Sequence, residues 1–460
     1  MGHSYPLSRL ATAFLIVGLA GCGTANPNMP AAPAENSNPE LAAPVQTVGP
    51  ASTPTPNTPP TTTTVSPNPA ALTPGAPALG PPALGPPAPD PIATPVTVAP
   101  APPANTPPPV AGSPVPTPAE LTFVGRFDVR NPQQIRFDWP NSSIGVQFTG
   151  TGISVGLIEL TASSYNGVPV HNFYDVFIDN NAPTQLQVGP GSQIYSLALG
   201  LSSGSHTLWL RRRTEAQIGA AAFTGFQLAA GGTFLTPPSV RPRQLELVSD
   251  SGGTGYGADA NVTRANMCHF TDSLENADYS YGKLLADLVN AEFTNLSYSG
   301  KGIATNLNPG DPVTLPKLYG RTLASDPSGI YAGPEGNADV VVVDTGGNDL
   351  VGAWGAGTLD QPAFVAAYAN LLGTIRQRNP RAAIFACVGH GAGLQDRTTL
   401  RNAITAVVQT ANQGGDAKVF FFEFPEYDGH LNYGCDFHPD HATAALLAAE
   451  ILPQVQAKLP

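Results

Sequence analysis

Three short stretches of this 460-residue chain hold residue types that can carry out acyl-transfer chemistry. The first is Ser249-Asp250-Ser251-Gly252-Gly253-Thr254-Gly255. A serine ahead of glycines on a tight turn exposes its hydroxyl, and its backbone N–H can face a developing oxyanion. The second, Asp344-Thr345-Gly346-Gly347-Asn348-Asp349, offers an amide donor among glycines that let a substrate approach closely. An Asn-Asp turn is an equally good reading of that stretch alone. The third is Gly434-Cys435-Asp436-Phe437-His438-Pro439. A serine nucleophile needs a base, and the base needs an orienting group; His438 and Asp436 can supply both. Asp436, His438, Asp440 and His441 could instead be read as a metal cluster. Pro439 and the start of a helix make that convergence awkward, and it leaves Ser251 unexplained. Asp440 reads better as a helix N-terminal acid, and no metal or other cofactor is expected.

These stretches need elements to position them. From about 243 the chain shows short apolar runs, Leu245–Val248, Phe293–Tyr298, Val340–Val343, Ala383–Val388 and Val419–Phe422. Such runs read as buried parallel strands. Helical patterns at Tyr281–Asn290, Pro362–Arg378, Thr398–Thr410 and His441–Leu459 alternate with them. Strand alternating with helix predicts a doubly wound α/β/α domain over 243–460 with a five-stranded parallel sheet, whose ligand site lies beyond the strands' carboxyl ends. Ser251 and Asn348 each follow such an end, and His438 comes in the loop after the last. Between 121 and 237 the period is two: Ile144, Val146 and Phe148 alternate, as do Ile153, Val155 and Leu157. Asn172–Ile178, Gln193–Leu199 and His206–Leu210 continue the pattern, which predicts a β-sandwich, jelly-roll-like, of about eight strands.

Together the blocks resemble the SGNH, or GDSL-like, hydrolases, which carry a serine after the first strand, a glycine after the second, Gly-x-Asn-Asp after the third, and a late Asp/His pair. The glycine falls in Ser299-Gly300-Lys301-Gly302. The resemblance implies an oxyanion hole of the Ser251 and Gly300 N–H groups and the Asn348 side chain. A preceding sandwich, His two residues after Asp, and the Ser-Gly-Lys-Gly block are similar to carbohydrate esterase family 2. So are Gly125-Arg126-Phe127-Asp128, Trp139-Pro140, Arg213-Thr214-Glu215 and Leu315-Pro316-Lys317-Leu318-Tyr319. That resemblance spans nearly all of 121–460 and implies a metal-free serine esterase removing acetyl groups from polysaccharides such as xylan and mannan, often at the 6-hydroxyl. The usual Gly-Asp-Ser is here Ser249-Asp250-Ser251. Some members orient the histidine with backbone carbonyls in place of the acid. Phe437 stands where the family often has Trp, and Trp354, in a glycine-rich loop, is a second candidate for stacking on sugar. An inactive carbohydrate-binding protein and a lipase or thioesterase on the same scaffold are the rival readings.

Composition separates the rest. Thirty of the 50 prolines lie between Gly23 and Glu120, a stretch with no Lys, Arg or aromatic residue and only four acids. Such a segment cannot bury enough apolar surface to fold, so 22–120 is expected to be a Pro/Ala/Thr-rich disordered tether. Ahead of it, Arg9 and the apolar run Leu10–Ala20 read as a signal peptide, 1–21. Its end, Leu19-Ala20-Gly21-Cys22, resembles a bacterial lipobox, which implies lipidation at Cys22 and a secreted protein anchored to the cell envelope. Of the net charge of −12, the folded part carries −9, which excludes a basic footprint for nucleic acid. With Cys22 lipidated, at most one intramolecular disulfide forms. Cys387 sits in a buried strand, and the two loop cysteines, Cys268 and Cys435, are the favoured pair. The expected partners are an acetylated polysaccharide and, through Cys22, a membrane.

Overall fold

The computed structural model describes residues 120–459 apart from 162, 166, 261–267, 334–337, 352–358, 391–396 and 426–432. The signal peptide, Cys22, the tether and Trp354 therefore lie outside the described residues. The described residues fall within one compact unit.

The N-terminal half is two antiparallel sheets face to face. One runs Leu121–Val124, Ser143–Thr149, Ser205–Arg212, Phe173–Ile178, Thr184–Gln187, with Thr233–Phe234 beside Ser143–Thr149. The other runs Ile135–Phe137, Ala221–Leu228, Gly152–Glu159, Gly191–Leu199. Alternation decides which side chains are buried, because successive strand residues point to opposite faces. Ile144, Val146 and Phe148 from one sheet meet Ile153, Val155 and Leu157 from the other in a single core. On the outer face Gly145 leaves room for the Trp209 ring; a Cβ there would lie 2.7 Å from it.

The C-terminal half is a five-stranded parallel sheet in the order Ala291–Ser297, Arg243–Ser249, Val340–Asp344, Ala383–Val388, Val419–Glu423. Both faces are covered, so the central strands Val340–Asp344 and Ala383–Val388 are buried along their whole length and almost wholly apolar. Val341 and Val343 pack with Phe364, Leu371 and Ile375 of the helix Gln361–Arg378 and with Ile404 and Val407 of Arg397–Gln413. Val340 and Val342 pack on the opposite side with Tyr281 and Leu285 of Tyr281–Leu288 and with Leu447 and Ile451 of His441–Gln456. Asp440 caps the last helix by accepting the Thr443 N–H at 2.8 Å.

The two halves are joined by buried polar contacts. Arg126 donates to the carbonyls of Tyr319 (2.5 Å) and Arg321 (2.9 Å). Asp138 accepts the N–H groups of Ala324 and Ser325, and the Trp139 indole donates to the Thr322 carbonyl. Trp139 is thus a buried junction residue. Arg213 pairs with both Asp175 and Asp259, tying the sandwich to the loop that follows Ser251.

Candidate active site

Ser251 opens a four-residue helical turn, Ser251–Thr254, directly after the first parallel strand. Asp250 caps that turn, accepting the Gly252 N–H at 3.1 Å. Gly253 permits it to sit against the sheet, since a Cβ there would lie 2.3 Å from Ser297 Oγ. The result is a partly exposed hydroxyl on a rigid base. Two neighbouring carboxyls are raised: desolvation and the nearby Asp344 push the half-buried Asp250 up to about 7, and burial pushes Asp344 up to about 6.

His438 arrives from the far end of the sequence. Its Nε2 is 2.7 Å from Ser251 Oγ. Its Nδ1 is 3.1 Å from the Cys435 carbonyl oxygen. A carbonyl can only accept, so Nδ1 carries the ring proton and Nε2 is free to accept from the serine. The imidazole also lies against the Tyr256 ring, with centroids 4.1 Å apart. Burial lowers the imidazole pKa, and the Cys435 carbonyl partly offsets this. A neutral imidazole within hydrogen-bond reach of a serine hydroxyl can take up its proton.

The Asp436 carboxylate is not a hydrogen-bond partner of either ring nitrogen, contrary to the sequence expectation, although its charge still favours the protonated imidazole. Its Oδ2 accepts from the Tyr256 hydroxyl (2.9 Å) and the Phe270 N–H (2.9 Å), and its Oδ1 is 2.8 Å from His269 Nδ1. The cause is backbone conformation. Asp436 and Phe437 both have positive φ, +49° and +65°, which turns the Asp436 side chain away from Ser251. Although burial acts to raise the Asp436 pKa, the bonds from His269, Tyr256 and Phe270 hold it below the usual carboxylate range. The carbonyl of Cys435 orients the imidazole instead.

The loop around His438 is fastened at several points. The structure joins Cys268 to Cys435 by a disulfide, and Cys387 is a free buried thiol. The Asp436 N–H donates to the Cys268 carbonyl, and Gly434 N–H to the His438 carbonyl. Gly257 passes so close that a Cβ would be 2.6 Å from Cys435. Phe437 is left 57% exposed beside this loop. The other members of the supposed metal cluster point elsewhere: Asp440 caps the helix and His441 stacks on Tyr279 at 3.8 Å.

The two remaining predicted residues share a loop contact. Gly300, φ +74°, follows the second strand. Asn348 is the second residue of the short helix Gly347–Val351 after the third strand, and its amide donates to the Lys301 carbonyl at 2.9 Å. Asp349, which the sequence reading did not use, accepts the N–H groups of Ile303, Ala304 and Thr305. Its position directly after Asn348 was the available signal. Tyr256 and His390 were also missed. His390, after the fourth strand, lies 3.5 Å from where a Cβ on Gly252 would stand, and burial with the neighbouring His438 pushes its pKa down to about 3.

Comparison with known proteins matches both halves. The model for the N-terminal part of carbohydrate esterase 2 covers residues 123–238, and that for the GDSL-like lipase/acylhydrolase family covers 250–446. A cellulase/esterase from Acetivibrio thermocellus is 32% identical over 347 residues, which are 74% of this chain but 39% of that protein, so the chain spans less than half of that relative. An acetylxylan esterase / glucomannan deacetylase from Cellvibrio japonicus is 24% identical over 73% of this chain and 88% of its own length. The solved structure of a family two carbohydrate esterase from Clostridium thermocellum in complex with cellohexaose superposes with a TM-score of 0.64. It is 31% identical, and the match covers 74% of this chain and 98% of that one.

Proposed function

The chain belongs to carbohydrate esterase family 2 and is built as a carboxylic ester hydrolase, and from that premise we propose that it removes O-acetyl groups from polysaccharide through an acetyl-enzyme on Ser251. The observation that carries this reading is the 2.7 Å contact between Ser251 Oγ and His438 Nε2, with Nδ1 committed to a backbone carbonyl. Ser251 Oγ attacks the acetyl carbonyl carbon as His438 Nε2 takes the hydroxyl proton. The oxyanion is held by the N–H groups of Ser251 and Gly300 and by the Asn348 amide. Collapse of the tetrahedral intermediate breaks the bond to the sugar oxygen, which leaves with the proton from His438. Water then attacks the acetyl-enzyme with the same imidazole as base and releases acetate. The Cys435 carbonyl keeps the ring in the tautomer this cycle needs and stabilises the transient imidazolium.

The substrate is an acetylated xylan- or mannan-type chain, a reading supported by the names of the relatives and by the cellohexaose bound to one of them. Exposed Phe437, and Trp354, are the proposed surfaces for stacking on sugar rings. The signal peptide and lipidated Cys22 would place the enzyme on the cell envelope at the end of a long tether. Acetate release from acetylated glycans by wild type and by Ser251→Ala tests the chemistry. A Ser251→Ala protein that releases acetate at the wild-type rate removes the basis of the proposal.

A further inference from the structure

The residues just before Gly300 are held by the other half of the molecule. We infer that Glu215, from the sandwich side, is a positioning residue for the loop that carries the Gly300 oxyanion donor. This inference rests on the serine-esterase reading above and extends the working site to the N-terminal half.

Glu215 is fully buried, and among the described residues its carboxylate has hydrogen bonds but no ion pair, with the Arg212 charge close by. One oxygen, Oε2, accepts the Ser299 N–H at 2.7 Å. The other accepts the Ser299 hydroxyl and the Gln217 amide, the latter at 2.7 Å. Ser299 immediately precedes Gly300, so fixing its N–H and its side chain fixes the torsions that aim the next N–H. Asn348 grips the same loop one residue further on, at the Lys301 carbonyl. The two oxyanion elements are therefore held in one frame, and one end of that frame is anchored in the sandwich.

The anchor is itself held from several sides. Arg212 donates to the carbonyls of Thr214, Glu215 and Gly219, and Arg213 is buried between Asp175 and Asp259. The Glu215 N–H donates to Glu275, a second buried carboxyl. Burial pushes Glu215 up to about 7, with the Ser299 bonds opposing it. Keeping a carboxyl in such surroundings is costly. Spending it on a neutral N–H and hydroxyl beside Gly300 is what a positioning role requires, because a shift of about 1 Å in a catalytic donor can lower the rate ~100-fold.

The test compares full-length wild type with Glu215→Gln, Ser299→Ala and Ser251→Ala. Three readouts are taken: thermal stability, kcat and KM on 4-nitrophenyl acetate, and the affinity of a small alkylboronic acid, which forms a tetrahedral adduct on the serine. For Glu215→Gln the expected result is a kcat lowered roughly 10- to 100-fold, a KM within about twofold, and boronate affinity falling by the same factor as kcat. Ser299→Ala keeps its N–H and should lose severalfold in kcat and in boronate affinity. A folded Glu215→Gln with wild-type kcat overturns the inference, as does a lowered kcat with unchanged boronate affinity. Should Glu215→Gln fail to fold, Ser299→Ala decides by the same two readouts. Full activity in Ser251→Ala would sink the esterase reading itself; an inactive Ser251→Ala beside a normal Glu215→Gln sinks this inference alone.

Discussion

Asp436→Asn separates this site from a three-membered triad. Where a carboxylate orients the histidine directly, replacing it with the amide costs about 10⁴ in kcat, because the ring is held in the wrong tautomer. Here the ring is held by the Cys435 carbonyl, and the carboxylate serves Tyr256, Phe270 and His269. An amide at this position can keep most of these bonds. Its carbonyl oxygen, set where Oδ2 now lies, still accepts from the Tyr256 hydroxyl and the Phe270 N–H, and asparagine tolerates the φ of +49°. What changes is the contact with His269, a side chain that is 96% exposed; surface contacts of this kind contribute about 0–1 kcal/mol. The hydrogen bonds that remain become neutral, which weakens them by about 1 kcal/mol in total. The expected protein is therefore less stable by about 1–2 kcal/mol and retains kcat within about tenfold of wild type. The assay is steady-state hydrolysis of 4-nitrophenyl acetate, with differential scanning calorimetry to show that the variant folds. A folded Asp436→Asn that has lost a thousandfold or more in kcat would overturn the assignment to Cys435 and restore Asp436 as the orienting acid.

Other outcomes follow from the same geometry. Asn348→Ala removes a proposed oxyanion donor and should lower kcat by about 10²–10³ with a smaller change in KM, measured on acetyl esters. Reducing the Cys268–Cys435 bridge, or replacing both cysteines by serine, should lower stability by about 2–5 kcal/mol and kcat along with it, since Cys435 carries the carbonyl that holds His438; equal melting temperatures with and without reductant would contradict this. Because burial lowers the His438 pKa, the imidazole stays neutral into mildly acidic solution, and the acid limb of kcat/KM should have its midpoint below 6.5. The raised carboxyls act in the opposite sense on stability. Glu159 and Asp250, both pushed up to about 7 by burial, bind protons in the folded chain that the unfolded chain has already released, so their contribution is full at low pH and lost as pH rises from about 4.5 to 7. Glu159→Gln should flatten the fall in melting temperature across that window.

The parallel sheet was legible because its central strands, Val340–Asp344 and Ala383–Val388, are buried on both faces. Val340–Val343 is an unbroken apolar run, and only a strand with helices on both sides has that pattern. The sandwich was read as about eight strands, but its two sheets hold ten among the described residues, because several strands do not alternate cleanly. Ala221–Leu228 begins with two alanines and slips register between Phe223 and Gly225, and Ile135–Phe137 and Thr184–Gln187 are too short to show a period. At the site, Ser251 and His438 could be read from their strand ends and flanking glycines, and they meet in the structure. The role of Asp436 could not, since it depends on a backbone turned to positive φ and on partners 166 to 180 residues away. Glu215, in the Arg213-Thr214-Glu215 block, and Asp349, beside Asn348, stood in quoted stretches, but their roles could not be read, since each acts by accepting backbone N–H groups of a loop distant in sequence.

The most direct measurement is acetate released from acetylated xylan, glucomannan and cello-oligosaccharide by the full-length chain, with Ser251→Ala and an octanoyl ester alongside. A serine acetyl esterase of this geometry should release acetate from at least one glycan, turn over little of the octanoyl ester, and lose a thousandfold or more in Ser251→Ala. Acetate release that survives the loss of the Ser251 hydroxyl, or glycan binding without any acetate release by the wild-type protein, would contradict it.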